Sequence, residues 1–272
     1  MAVLPDRVQI DWRGRPVRIE YQWVGVENQG APLMVFLHEG LGSLSMWRGF
    51  PDVLCMASGF RGLVYSRPGY GYSTPRPAGE NLGTDFMHRQ ADEVLPALLQ
   101  SLGTDSTRAP VWLFGHSDGG SIALLFAAHR PEQTAGLVVL APHILVEDLS
   151  VQSIANVRTA YLETDLRERL ARHHADPDSV FWGWNGIWLD LGFRPWRIDH
   201  ELGTIRCPLM AVQGVDDEYG TLEQIRGIAR HVPQCELLEI SACGHAPHKD
   251  QPDRLIESVT HFLQRQLQGD QG

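Results

Sequence analysis

A chain of 272 residues, 43% hydrophobic and 21% charged, holds enough apolar material for one large core, or for a core with an insertion. Its formal net charge of -10, with no run of Lys and Arg, argues against a nucleic-acid partner. No stretch approaches the ~18 consecutive apolar residues of a membrane span, so no membrane partner is expected. The four cysteines, Cys55, Cys207, Cys235 and Cys243, form no Cys-x-x-Cys pair, and Met1 to Trp12 lacks the apolar centre of a secretory signal. Both features predict a cytoplasmic protein with reduced, mostly buried thiols.

Arg7 to Gly25 alternates in polarity and turns at Trp12-Arg13-Gly14-Arg15-Pro16, the pattern of an antiparallel hairpin at a sheet edge. Leu33 to Leu37 is a continuous apolar run, as in a strand covered on both faces, and it ends in the glycine-rich loop His38-Glu39-Gly40-Leu41-Gly42-Ser43. A helical segment around Trp47 to Ala57 precedes a short strand, Gly62 to Tyr65. Helical periodicity then covers Phe86 to Leu102 and stops at Gly103. Val111 to Phe114 reads as a buried strand, Ile122 onward as a helix, and Gly136 to Leu140 as another buried strand. From His143 to about Gly203 no apolar strand occurs; the segment is charged, carries Trp182, Trp184, Trp188 and Trp196, and reads as helical with a break at Asp176-Pro177-Asp178. Strands return at Leu209 to Val212 and Leu237 to Ile240, with helices near Leu222 to His231 and after Pro252. The alternation predicts an α/β fold, a mostly parallel eight-stranded sheet with helices on both faces. Residues 1–142 and 204–272 form its core, and 143–203 form an inserted helical cap.

Between the strand Val111 to Phe114 and its helix lies Gly115-His116-Ser117-Asp118-Gly119. A strand that turns at once into a helix strains its corner residue, and glycines two before and two after remove the side chains that would collide there. The corner lifts the Ser117 hydroxyl to a helix N-terminus, where free N–H groups suit a developing oxyanion. A serine hydroxyl is a weak nucleophile and needs a base and a group to orient that base. In open parallel sheets such groups gather at the carboxyl ends of strands. Two later strand ends supply them, Gln213-Gly214-Val215-Asp216-Asp217-Glu218 and Ser241-Ala242-Cys243-Gly244-His245-Ala246-Pro247-His248.

With the order Ser, Asp, His, the chain resembles the α/β-hydrolase superfamily over nearly its whole length, and is most similar to lidded serine esterases and prolyl-aminopeptidase-like members. The resemblance implies Ser117 as nucleophile and His245 as base. The acid commonly lies three residues after the glycine that ends its strand, which selects Asp217 over Asp216 and Glu218. The resemblance also implies an oxyanion hole from the backbone N–H groups of Asp118 and Gly40, with Leu41 as the alternative to Gly40. Glu39 departs from the usual His-Gly start of that loop and brings a carboxylate near the mouth. Asp118 reads either as a helix-start acid or as a partner for a cap Arg or His or a cationic substrate group. His116 and Arg67 read as supports of the elbow and the neighbouring loop, and His248 as a packing residue. Trp182, Trp184 and Trp188 lie at helical spacing, as the cap's own core or as a pocket wall, and His143 faces the pocket.

These readings converge on a carboxylesterase-like hydrolase that cleaves a small carboxylic ester through an acyl-enzyme, with no cofactor and no metal. Its partner is a small-molecule ester substrate; monomer and homodimer stay open. The alternatives are an aminopeptidase or amidase, a C–C hydrolase or lyase on the same triad, and a small-molecule receptor of the same fold.

Overall fold

The computed structural model describes residues 5–28 and 30–269; the part of the Met1 to Trp12 reading that concerns residues 1–4 lies outside them. Eight strands form one sheet: β1 (Asp6–Trp12), β2 (Arg15–Gly25), β3 (Leu33–Leu37), β4 (Arg61–Tyr65), β5 (Val111–His116), β6 (Thr134–Leu140), β7 (Leu209–Gly214) and β8 (Cys235–Ile240). Their order is β1-β2-β4-β3-β5-β6-β7-β8. The first two strands are antiparallel, β2 also meets β4 antiparallel, and every later pairing is parallel. The hairpin turn falls at Arg13 (φ 57°) and Gly14 (φ 73°), the paired left-handed residues that let a two-residue loop follow strand twist.

The helices are α1 (Phe50–Ser58), α2 (Phe86–Arg89), α3 (Leu95–Ser101), α4 (Asp118–His129), α5 (Asp148–Glu163), α6 (Leu166–Ala171), α7 (Pro177–Leu189), α8 (Glu223–His231), α9 (Pro247–Asp250) and α10 (Pro252–Gly269). Side chains of a strand alternate between faces, and the apolar runs split accordingly. Val35, Leu37, Leu113, Leu137, Val139 and Ala211 join the core under α4. Met34, Phe36, Trp112, Phe114, Val138 and Val212 join a second core with Leu54, Leu255 and Phe262 of α1 and α10. A strand covered on both faces has no polar side, which explains the unbroken runs. Among the described residues no helix is long and apolar enough to cross a membrane.

Two segments differ from their sequence patterns. Residues 44–47 form a separate 3-10 turn, and α1 starts only at Phe50, because Arg48 takes a left-handed φ of 54° and Pro51 sits at a helix start. The helical run from Phe86 widens into a π turn at Gln90–Val94. Pro96 lacks the N–H that would bond the Asp92 carbonyl. Arg130 Nη2 takes that carbonyl instead, at 2.9 Å, so the run stays helical without an orphaned acceptor.

The cap segment carries α5, α6 and α7, inserted between β6 and β7. Asp176 caps α7 by accepting the Ser179 N–H at 2.9 Å, so the Asp-Pro-Asp break is a helix start. Beyond α7, a 3-10 segment at Asp199–Thr204 returns to α4. There His129, at the end of α4, bonds Asp92 through Nδ1 at 2.9 Å and Glu201 through Nε2 at 2.7 Å. Burial opposes protonation of His129, but the two carboxylates outweigh it and raise its pKa. A raised folded pKa means that the clasp stabilises fully below about pH 6.5 and loses that contribution as pH rises through the folded value. We therefore expect His129→Gln to lower the urea midpoint more at pH 6 than at pH 8.5; an equal loss at both would show that the clasp carries no charge.

Candidate active site

The corner between β5 and α4 is held by steric necessity. Ser117 adopts φ 54°, ψ -121°, outside the regions where L-residues are comfortable. A Cβ on Gly115 would lie 2.3 Å from the Gly119 carbonyl oxygen, and one on Gly119 would lie 2.1 Å from that of Leu37. Only glycine lets helix and neighbouring strand approach this closely. Ser117 is buried to 7% exposure and opens into a cavity of about 290 Å³. Asp118 is the first residue of α4, so its N–H is among the four without an intrahelical acceptor.

The ends of β7 and β8 are stitched together. Val215 N donates to Ile240 O at 2.8 Å and Asp216 N to Cys243 O at 3.0 Å. A Cβ on Gly214 would stand 2.1 Å from the Cys243 carbonyl oxygen. The contact brings Asp217 to His245, whose Nδ1 donates to Oδ1 at 2.9 Å and lies 3.0 Å from Oδ2. Asp217 also accepts from Tyr219 N at 2.8 Å and from Gln213 Nε2 at 3.0 Å. Burial works against its ionisation, but His245 and the Tyr219 N–H hold its pKa below the ordinary carboxylate range. Asp216 is exposed, and the Glu218 carboxylate accepts the backbone N–H of His245, at 3.2 Å. His245 lines the same cavity as Ser117, without a closed hydrogen bond between them. His248 stands away from the hydroxyl, packed on Trp47, Phe50 and His116, and burial drives its pKa down to about 2.

The loop after β3 is fixed through one carbonyl. Glu39 O accepts from Arg67 Nη2 at 2.8 Å, His38 Nδ1 at 2.8 Å and Gly42 N at 3.0 Å. Because the peptide is planar and trans, three donors on that oxygen aim the Gly40 N–H the opposite way. A Cβ on Gly40 would sit 2.1 Å from Trp184 Nε1, so only glycine lets α7 seat against the loop. His116 donates Nε2–H to the His245 carbonyl at 2.7 Å. Arg67 and His116 thus brace the loops, as read from the sequence.

The remaining residues divide. Glu39, Leu41, His143, Ile154, Trp184 and Trp188 line the cavity. Trp182 does not: it lies two residues from Trp184, on another face of α7, 39% exposed against Tyr161 and Phe181. Trp184 and Trp188, four apart, share the inward face. Trp196 is buried against Trp188 and Phe193, as core. His143 donates Nε2–H to Tyr219 O at 3.2 Å, and burial lowers its pKa to about 4, so its ring is neutral. Glu39 lies 3.6 Å from His116 Nδ1 and 3.7 Å from Lys249 Nζ; against the cost of burial, these neighbours hold its pKa well below the usual range. Asp118 lies 3.9 Å from Arg67 Nη2, and neither of its oxygens accepts a hydrogen bond. Burial raises its pKa to about 6 despite Arg67. The sequence reading assigned no site cation to Glu39, and Lys249, from α9, gave no sequence signal of that role. Among the described residues no group of three or more His, Cys, Asp or Glu is arranged to hold a metal ion.

A left-handed serine between strand and helix, facing an Asp–His pair on later strand ends, is the framework of one protein family. Residues 34–258 match the Alpha/beta hydrolase family, and the chain belongs to it. A mouse sn-1-specific diacylglycerol lipase is 23% identical, over 92% of this chain and 86% of its own. A thermophilic esterase from Thermogutta terrifontis superposes with a TM-score of 0.71 at 21% identity, covering 97% of this chain and 99% of its own. Proline iminopeptidase from Mycobacterium smegmatis gives 0.75 at 16% identity, covering 96% and 98%.

The unbonded Asp118 carboxylate has a thermodynamic signature. Its folded pKa of about 6 lies above the unfolded value of about 3.9, so the folded state binds the proton more tightly. Stability from this group is therefore lost as pH rises from about 4 to about 6. Asp118→Asn should flatten that part of the stability profile and raise the urea midpoint at pH 8; a variant that keeps the wild-type slope would refute the assignment.

Proposed function

We propose that this protein is a serine hydrolase of small carboxylic esters, with Ser117 as nucleophile, His245 as base and Asp217 as the orienting acid. The observation that carries this reading is that His245, bonded to the buried Asp217 behind it, lines the cavity into which a strained Ser117 opens. His245 takes the proton of Ser117 Oγ as that oxygen attacks the acyl carbon, and the Ser–His bond, open in the free protein, closes around substrate. Asp217 holds the imidazole in the tautomer with Nδ1–H inward and stabilises its cation. The N–H groups of Gly40 and Asp118 receive the oxyanion. The protonated imidazole gives its proton to the leaving alcohol, and water then releases the acid by the same steps. The helical segment 143–203 acts as the cap that shapes the acyl pocket.

Ser117→Ala should remove p-nitrophenyl ester turnover by on the order of 10⁴-fold or more while leaving the melting profile unchanged. Asp217→Asn should fall by several orders of magnitude and Asp216→Asn only mildly. Retention of a tenth of the activity by Ser117→Ala, or the reverse ranking of the two aspartates, would overturn the assignment. Absence of turnover across esters and amides would favour a receptor of the same fold.

Substrate preference follows from the wall. Trp184, Trp188, Ile154 and Leu41 present apolar surface in a cavity of about 290 Å³. That volume suits phenylacetyl and butyryl groups, whereas a palmitoyl chain would have to extend beyond it. From the sequence, Glu39 and Asp118 would repel acyl groups with a free carboxylate. Lys249 and Arg67 beside them offset that charge, so discrimination against a succinyl ester is not expected. One observation favours the aminopeptidase or amidase alternative: both Asp118 oxygens lack a donor, which an acyl group with an α-amino function would supply. With one leaving group, kcat/KM should rank phenylacetyl and butyryl about 10- to 100-fold above palmitoyl. Amino-acid arylamides turned over faster than phenylacetyl esters, with the advantage lost in Asp118→Asn, would select the second reading.

A further inference from the structure

Behind the oxyanion loop lies a second cavity, of about 110 Å³, between the β1–β2 hairpin and the loop after β4. Trp12, Val17, Leu82 and Phe86 give it apolar walls. Two polar side chains at its lining are more than nine-tenths buried and incompletely bonded: Tyr70, 3% exposed, whose hydroxyl has no partner, and Gln90, 7% exposed, whose Oε1 has none. Native interiors rarely leave such groups unsatisfied, so both mark a place prepared for a polar ligand atom. The Gln90 amide offers either a donor or an acceptor according to its flip.

The charge of this cavity runs against that of the molecule. In a chain of net charge -10, its lining holds Arg15, Arg67, Arg76 and Arg89 against the one carboxylate of Glu80. Arg15 is spent on Glu80, at 3.1 Å, and Arg89 on Asp85, at 2.7 Å. Arg76 bonds only the Ser179 carbonyl of α7, at 3.2 Å, and has no ion-pair partner among the described residues. An apolar chamber with a free cation and a buried hydroxyl matches an anion with a small hydrocarbon body. At about 110 Å³ the chamber is smaller than the ~150 Å³ that admits benzene, so it takes the carboxylate with a short chain or part of one ring, and the rest of a larger body stays in its open mouth.

We infer that this cavity is a binding site for a small aryl or short-chain carboxylate, distinct from the cavity at Ser117 and joined to it by Arg67. The guanidinium of Arg67 lies over the Tyr70 ring, 4.5 Å from its centroid, and its Nη2 holds Glu39 O. A carboxylate that engages Tyr70 shifts the platform on which Arg67 rests and thereby the peptide that aims the Gly40 N–H. The acid released by ester cleavage belongs to this ligand class. That consequence for turnover rests on the proposed function, whereas the binding site does not.

The test is a methyl NMR titration of the full chain with phenylacetate. Val17 and Leu82 report on the second cavity, and Ile154 and Leu41 on the cavity at Ser117. Saturable shifts at Val17 and Leu82 are expected, about tenfold weaker in Tyr70→Phe and in Arg76→Gln, lost in Leu82→Trp, and about tenfold weaker for neutral phenylacetamide. No shift at Val17 and Leu82 at millimolar phenylacetate, or shifts confined to Ile154 and Leu41, would overturn the site. Equal affinity for phenylacetamide would overturn the carboxylate assignment. If turnover is present, phenylacetate should lower kcat at saturating ester in the wild type and not in Leu82→Trp; an unchanged kcat with the second cavity filled would overturn the coupling. An inactive protein that still shows the Val17 and Leu82 shifts refutes the hydrolase reading and leaves the site standing.

Discussion

The left-handed backbone of Ser117 is the constraint on which the rest depends. A non-glycine residue in that conformation costs on the order of 1–3 kcal/mol, and here the surrounding structure overdetermines it. The helix that starts at Asp118 buries every residue through Ala128, Ile122, Leu124, Leu125 and Phe126 without any exposure. Those four side chains alone contribute roughly 6–12 kcal/mol of apolar burial before entropy. Relaxing the corner would displace α4 from β5 and β6 and lose part of that gain. The strain therefore persists without a dedicated local bond, and the hydroxyl stays where strand and helix put it.

The same logic of fixed backbone governs the groups around the serine. Side chains are rarely the last fixed point; carbonyls are. Glu39 O is held by three donors, His245 O by His116, and Cys243 O by Asp216 N. Arg67 and His116 each spend a buried side chain on a backbone oxygen. An arginine with 1% exposure is costly to desolvate unless its hydrogen bonds are satisfied. Here the guanidinium donates to the loop after β3, from Nη2 to Glu39 O at 2.8 Å and from Nε to His38 Nε2 at 3.4 Å, and Asp118 lies at 3.9 Å without a hydrogen bond. Burial raises the pKa of Asp118, and Arg67, committed to the loop, offsets that rise only in part.

Much of this was legible in the sequence because local rules suffice for it. Unbroken apolar runs mark strands covered on both faces, and Gly115, Ser117 and Gly119 mark the corner within five residues. Gly214 and Gly244 flag the strand ends that carry Asp217 and His245. What stayed hidden depends on residues far apart in the chain. Helical spacing alone gives Trp182 and Trp184 equal standing, because it does not say which face of α7 turns inward. Nothing near Asp92 announces that Arg130 will take its carbonyl, and nothing near Glu39 announces Lys249. The second cavity is assembled from a hairpin, a loop and α2, whose facing is a property of the closed sheet.

Helix α7 does more than close the cavity. Its Trp184 indole occupies the space that a side chain at position 40 would need, so the helix rests directly on the peptide between Glu39 and Gly40. One turn further along that helical face, Trp188 borders the Asp118 carboxyl and the His143 ring. A single helix thus touches both the Gly40 peptide and the Asp118 side chain beside Ser117. Any displacement of α7 is felt by the two together, because packed interiors transmit strain with little compliance. Arg76 adds a second tie, from the loop after β4 to the Ser179 carbonyl at the start of the same helix. The position of α7 and the geometry at the serine are therefore one variable, set by contacts at residues 40, 76, 118 and 143.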